Sequence, residues 1–245
     1  MIDRLKTIIK GNDHIRKLIL WSITPTTNPR PRFWIKCFIN PFIHQKGKGA
    51  IIRRRSSRID VFPWNQFIVG KNILIEDFTT INNGAGHVII GNNARVGIGS
   101  VIIGPVRLGD KVGLGQHVFI SGFNHEYTDG TQNSKYQGLI RKPTVIDEDT
   151  HIGANAVITA GVHVGKRCQI GAGSVVTKDI PDYSIAVGNP ARVLRKITAE
   201  DSKKYQEELA KQKDINKSEF NKMMAGQWYN AKDYSMLKMR QENNK

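Results

Sequence analysis

Cysteine is scarce in this chain: its 245 residues contain only Cys37 and Cys168, too few for a disulfide framework. Long apolar runs are missing as well. No stretch approaches the roughly 20 consecutive apolar residues of a membrane span. Residues 1–21 are amphipathic and charged, without the apolar run and small-residue cleavage site of a secretory signal. These absences predict a cytoplasmic protein. Acidic residues are outnumbered, 21 Asp and Glu against 37 Lys and Arg, for a net charge of +16. A basic surface suits nucleic acid, anionic lipid or phosphorylated ligands. The excess gathers in Arg30–Arg58 and Lys203–Lys245 with no groove-reading motif beside it, so nucleic acid is not expected as a partner.

What the chain does have is a period. Aliphatic residues fall every sixth position at Ile90, Val96, Ile102, Leu108, Leu114 and Ile120, and again at Ile146, Ile152, Ile158, Val164, Ile170 and Val176. A second series keeps the same step: Ala94, Ser100, Val106, Val112 and Val118, then Thr150, Ala156, Val162, Cys168, Ser174 and Ile180. A helical face recurs near 3.6 residues and a half-buried strand at 2, so a period of six needs a solenoid of short strands joined by tight corners. Both series then point inward, which makes Cys168 a core residue. Glycine follows the aliphatic residue at Gly91, Gly97, Gly109, Gly115, Gly153, Gly165 and Gly171, where a corner needs an unhindered backbone or a positive φ.

This repeat, running from about Val69 to Val193, resembles that of the hexapeptide-repeat acyltransferases. The resemblance implies an all-β fold, a left-handed parallel β-helix solenoid with about 18 residues per coil. The hand comes from the resemblance, since it opposes the usual crossover rule and periodicity does not set it. Residues 1–58 lack the repeat, and Asn28-Pro29-Arg30-Pro31 and Asn40-Pro41 break them into a short helix, a loop and an irregular wrap, an N-terminal cap. Its basic, aromatic stretch (Trp21, Phe33, Trp34, Phe38, Phe42) either covers the open end of the solenoid or rests peripherally on the inner face of an anionic membrane.

The hexapeptide domain spans 59–197. It starts imperfectly at Val69-Gly70, Ile75 and Ile81, and bulges at Asn82–His87. Residues 121–143 leave the repeat as a polar loop carrying Asn124, His125, Glu126, Tyr127, Asp129 and Tyr136. A loop this long is costly to order unless it has a function. Residues 198–245 read as a charged helical C-terminal segment opening at Thr198-Ala199-Glu200-Asp201. Within it, Lys222–Ala231 is similar to the short helical domain of maltose and galactoside acetyltransferases.

Acyl transfer from a thioester to a hydroxyl needs a base, donors for the oxyanion and a site that fixes the thioester. Histidine is the side chain that titrates in the right range unaided. Of seven, His151 and His163 share a repeat phase and point outward from corners. His125 stands where the chain departs from the repeat, and Ser121-Gly122-Phe123-Asn124-His125 resembles the segment holding the catalytic histidine of the acetyltransferases.

The resemblance implies direct attack, with His125 as general base and no acyl-enzyme. It further implies the backbone N–H of Ala154 as oxyanion donor, Ala172 beside the pantetheine arm of acetyl-CoA, and Lys178 and Arg192 at the nucleotide phosphates. The closing segment Val187-Gly188-Asn189-Pro190-Ala191-Arg192-Val193 is similar to that of acetyl-CoA-dependent members.

For the acceptor, Asp77, Asn82, Asn83, Asn124 and Glu126 offer amides and carboxylates suited to sugar hydroxyls. Asp77 and Ala85 fall where the galactoside enzyme has an asparagine and an aspartate, which leaves the sugar open. Phe62-Pro63-Trp64-Asn65 and Asp77–Asn83 resemble acetyltransferases of bacterial surface-glycan synthesis. The resulting expectation is an acetyl-CoA-dependent O-acetyltransferase of a sugar or glycan precursor, a homotrimer without a metal. Alternatives are an amino-sugar N-acetyltransferase, an inert scaffold, and a γ-class carbonic anhydrase-like zinc protein. The zinc reading would draw on His87, His117 and His125, whose repeat phases do not match.

Overall fold

The computed structural model describes residues 12–27, 30–53, 55–133 and 136–224, with 213–224 as backbone. It comprises two units, Met1–Lys196 and Ile197–Lys245. In the first, each run of three hexapeptides closes one coil, and about six coils stack as a parallel β-solenoid with three faces. The first face pairs Gln45–Lys46, Phe67–Val69, Val88–Ile90, Val106–Leu108, Thr144–Ile146 and His163–Val164. The second pairs Ile51–Ile52, Leu74–Ile75, Arg95–Val96, Gly113–Leu114, His151–Ile152 and Gln169–Ile170, then adds Ser184–Gly188 and, antiparallel to it, Ala191–Lys196. The third pairs Arg58–Asp60, Thr80–Asn82, Val101–Ile103, Phe119–Ser121, Val157–Ile158 and Val175–Val176. Register sets like on like: Ile120 lies between Ile102 and Ile158, and Leu108 between Ile90 and Ile146.

Both six-residue series do point inward, and none of their members is more than 4% exposed. Each large aliphatic contributes on the order of 1.5–3 kcal/mol of burial. The polar members of the small series are satisfied by the backbone, as buried hydroxyls must be. Thr150 Oγ1 donates to Gly165 O at 2.7 Å and accepts from Cys168 N at 3.0 Å; Ser100 Oγ donates to Gly115 O at 3.1 Å and accepts from Val118 N at 3.2 Å.

The seven repeat glycines serve close approach, not left-handed backbone. A Cβ on any of them would come within 2.3–2.8 Å of a neighbouring coil. Left-handed φ falls two residues later, for example at Asn93 (φ 55°) and Arg167 (φ 52°).

Parallel pairing reaches back to Gln45 and Ile51, so the solenoid opens inside the residues read as cap. The rest of the cap is helix Asp13–Ile23, whose N-cap Asn12 accepts from His14 N and Ile15 N, and a helical segment over 33–43. The second unit holds helix Ala199–Met224. Thr198 N and Oγ1 donate to Asp201 Oδ2 at 2.8 and 3.0 Å, in the manner of a capping box. The stretch 222–231 runs past the described residues. Among the described residues no helix is long and apolar enough to cross a membrane.

Candidate active site

The interruptions of the repeat stack on one edge, where the third face passes to the first face of the next coil. Asn83 is fully buried there. Its Oδ1 accepts from Phe62 N at 2.6 Å and its Nδ2 donates to Phe62 O and Asn65 O at 3.1 and 2.7 Å. Asn82 Oδ1 accepts from Gly84 N, and His87 Nδ1 accepts from Gln66 N. Trp64 is 43% exposed, stacks on Phe62 with centroids 4.6 Å apart and donates its indole N–H to Gly84 O.

Two coils further on, the loop 121–143 leaves by this same edge. It begins as a hairpin in which Phe123–His125 pairs antiparallel with Leu139–Arg141. Exposed His125 lies opposite Leu139, its ring edge-on to Phe123 at 5.7 Å. The loop braces itself: Glu126 Oε1 accepts from Tyr127 N, Thr128 N and Thr128 Oγ1, and Asp129 Oδ1 accepts from Thr131 N and Oγ1. Hydrogen bonds from Thr128 hold the Glu126 carboxyl below its usual range, and those from Thr131 do the same for Asp129.

A second cluster lies on the edge where the second face passes to the third. Here the corner N–H groups of Gln116, Ala154 and Ala172 stack on successive coils, and none donates to an acceptor among the described residues. Two glycines keep this ledge open. A Cβ on Gly115 would stand 2.7 Å from Ala154 N, and one on Gly153 2.4 Å from Ala172 N. The ledge continues into the turn after Ser184–Gly188, where Gly188 N donates to Ser174 Oγ and exposed Arg192 pairs with Val187. A row of unengaged N–H donors, a channel that a Cβ would fill and a terminal guanidinium together fit an amide-bearing arm ending in phosphates.

The predicted site residues therefore divide. His125, Asn124, Glu126, Asn82, Asn83 and Lys178 belong to the first of these edges; Ala154, Ala172, Arg192 and Asp77 belong to the other. Asn83 holds the corner together and offers nothing to an acceptor. Asp77 is tied to the coil before it by Arg53 Nη1 at 2.6 Å and by Ser56 Oγ. The Ser56 hydroxyl, then the Arg53 guanidinium, hold its carboxyl below the usual range.

His151 and His163 face outward from strands, not corners, and His163 Nε2 lies 2.7 Å from Asp147 Oδ2. His87 and His125 share one edge while His117 sits on the other, so one chain does not bring the three together. Sequence reasoning gave no site role of their own to Gly115, Gly153 and Trp64. The glycines were visible only as repeat punctuation.

Residues 143–178 match the family model described as bacterial transferase hexapeptide (six repeats), and residues 87–120 match the hexapeptide repeat of succinyl-transferase. This chain belongs to the hexapeptide-repeat transferases. As a hexapeptide-repeat transferase it is 32% identical over 139 residues to a galactoside O-acetyltransferase of Lactococcus lactis, covering 56% of this chain and 66% of the relative. It is 56% identical over 50 residues to a dTDP-3-amino-3,6-dideoxy-alpha-D-galactopyranose 3-N-acetyltransferase of Aneurinibacillus thermoaerophilus, covering 20% of this chain and 26% of the relative. In fold it is similar to the N-acyltransferase AntD of Bacillus cereus, crystallised with dTDP and 3-hydroxybutyryl-CoA. The TM-score is 0.57 at 19% identity, over 72% of this chain and 95% of that one. The chain spans about half the length of the curated relatives it matches.

Proposed function

We propose that this hexapeptide-repeat transferase moves an acetyl group from acetyl-CoA to a hydroxyl of a sugar or glycan precursor. The observation that carries the reading is the Ala154 ledge, with its open N–H row and glycine channel. Ala172 N–H would meet the pantetheine arm, and Arg192 the phosphates; Lys178, on the other edge, would reach those phosphates from a second copy.

His125 takes the proton of the acceptor hydroxyl as its oxygen bonds to the thioester carbon, and Ala154 N–H steadies the charge gathering on the carbonyl oxygen. The carbon–sulfur bond then breaks and the thiol leaves with a proton. No enzyme nucleophile is required.

His125 and Ala154 leave the solenoid by different edges, one on either side of the third face. That face carries an outward column of Val101, Phe119, Val157 and Val175 in register, where the second face shows Arg95, Gly113, His151 and Gln169. An apolar face flanked by two half-sites supports assembly of copies through it, the base of one meeting the ledge of the next. Three such copies make the trimer.

The test is a panel of sugars and glycans incubated with acetyl-CoA, reading free thiol and then the product. An O-acetyl ester removable by mild alkali is expected. The short, highly identical match to an amino-sugar N-acetyltransferase favours a second reading, and an alkali-stable amide would select it. A monomer by light scattering would remove the shared site.

A further inference from the structure

We propose that the N-terminal cap is a docking surface for an anionic phospholipid bilayer, independent of the acyl-transfer reading. The helical segment over 33–43 contains one wide turn, Ile35–Ile39, closed by Asn40 N–H donating to Ile35 O. Single wide turns of this kind recur at functional sites. Its effect here is on alignment. A spacing of five across the wide turn and of four across the next brings Phe33, Phe38 and Phe42 to one side of the segment. They are 80%, 67% and 88% exposed.

The opposite side is committed to the solenoid. Ile35 and Asn40 are buried, and Asn40 Nδ2 donates to Val61 O at 2.8 Å. The segment is thus held rigidly by one face while it presents three phenylalanines on the other.

Helix Asp13–Ile23 extends the apolar surface. None of its residues is buried, and Leu18 and Trp21 are 64% and 57% exposed. It is fastened to the first segment through Trp34 Nε1 to Ser22 O at 3.0 Å and Arg32 Nε to Trp21 O at 3.0 Å, with the Arg32 guanidinium 4.8 Å over the Trp21 ring. Large apolar side chains gathered this exposed on one part of a surface mark an interaction site.

Charge decides the occupant. Residues 1–58 hold fourteen lysines and arginines against Asp3 and Asp13, which places most of the net +16 of the chain at this end. Lys17, Lys36, Lys46, Lys48 and Arg55 have no carboxylate partner among the described residues. Lys36, Lys46 and Arg55, with Arg30, also line a cavity of about 740 Å³ whose walls include Asn40 and Pro41 of the same segment. Exposed aromatic side chains on a cap this rich in unpaired cations match the boundary between acyl chains and anionic headgroups. A second copy of so basic a cap would be repelled.

The full-length protein is sedimented with vesicles of phosphatidylcholine alone and of phosphatidylcholine mixed with phosphatidylglycerol. Binding to the mixed vesicles should be at least ~10-fold tighter and should weaken as salt is raised. The combined Phe33→Ser, Phe38→Ser, Phe42→Ser variant should lose a further ~10-fold or more. Wild-type protein that stays in the supernatant with the mixed vesicles overturns the proposal. So does a triple variant that binds as before, or one whose oligomer falls apart while its vesicle binding is unchanged, which would make the face a contact between copies. A single Phe38→Trp variant gives a readout that tolerates poor folding of the triple variant. Its added fluorescence should be quenched by lipids with brominated chains, and absence of extra quenching relative to wild type counts against the bilayer.

Discussion

A Cβ placed on Gly115 would stand 2.7 Å from the backbone nitrogen of Ala154 in the next coil. Gly115→Ala is therefore expected to crowd the N–H proposed to steady the oxyanion. Turnover should fall by on the order of 10²-fold if that donor is displaced, with a cost of about 1–3 kcal/mol in thermal unfolding from the overpacked corner. Unchanged turnover in a folded variant would move the oxyanion donor elsewhere.

Removal of the base has a different signature. His125→Ala should lower turnover at least ~100-fold and leave acetyl-CoA affinity near that of the wild type. Calorimetry of the variant with CoA, set beside its kinetics, separates the two effects.

The division of the site between edges is testable by mixing. His125→Ala and Gly115→Ala damage different edges, so oligomers reassembled from equal amounts should regain about a quarter of wild-type sites if each site draws on two copies. Two inactive parents whose mixture stays inactive would confine the site to one chain.

Lys178→Ala and Arg192→Ala should each weaken CoA affinity while turnover at saturating acetyl-CoA is largely kept, as expected for groups that meet phosphates and stand clear of the reacting carbon. The comparison to make is KM for acetyl-CoA against kcat. A fall in kcat alone would reassign the residue.

Acid should release the loop before it unfolds the solenoid. The carboxyls of Glu126 and Asp129 are held below their usual range by Thr128 and Thr131. Their contribution to loop order is present above the ordinary carboxylate pKa of about 4 and is lost as pH falls through the depressed values. Hydrogen exchange at the Tyr127 and Thr128 amides should rise across that window beyond the intrinsic rate, and Glu126→Gln should flatten the response. The core has no such dependence: Ile120→Ala should cost about 2–5 kcal/mol at any pH.

The spacing of Ile90, Val96, Ile102 and their successors was sufficient to predict the coils and their buried residues, because a side chain's inward or outward direction repeats with the strand and corner. The departure of residues 121–143 was equally visible, and with it His125. What the spacing leaves undetermined is which edge of the solenoid a corner occupies and what the neighbouring coil places against it. Val69 pairs with Ile90 across 21 residues and Ile90 with Leu108 across 18, so each insertion is absorbed at its own corner and later corners keep their edge.

Only the folded chain shows the breaks near 62–66, 82–87 and 121–143 stacked on one edge, with Asn83 consumed as the bolt between the first two. Only it separates His125 from Ala154 by a face, and shows that the repeat glycines are there because a neighbouring coil passes within 2.3–2.8 Å of where a Cβ would stand. These are contacts between residues about 18 or more positions apart. Their geometry comes from how coils stack, which a one-dimensional period cannot encode.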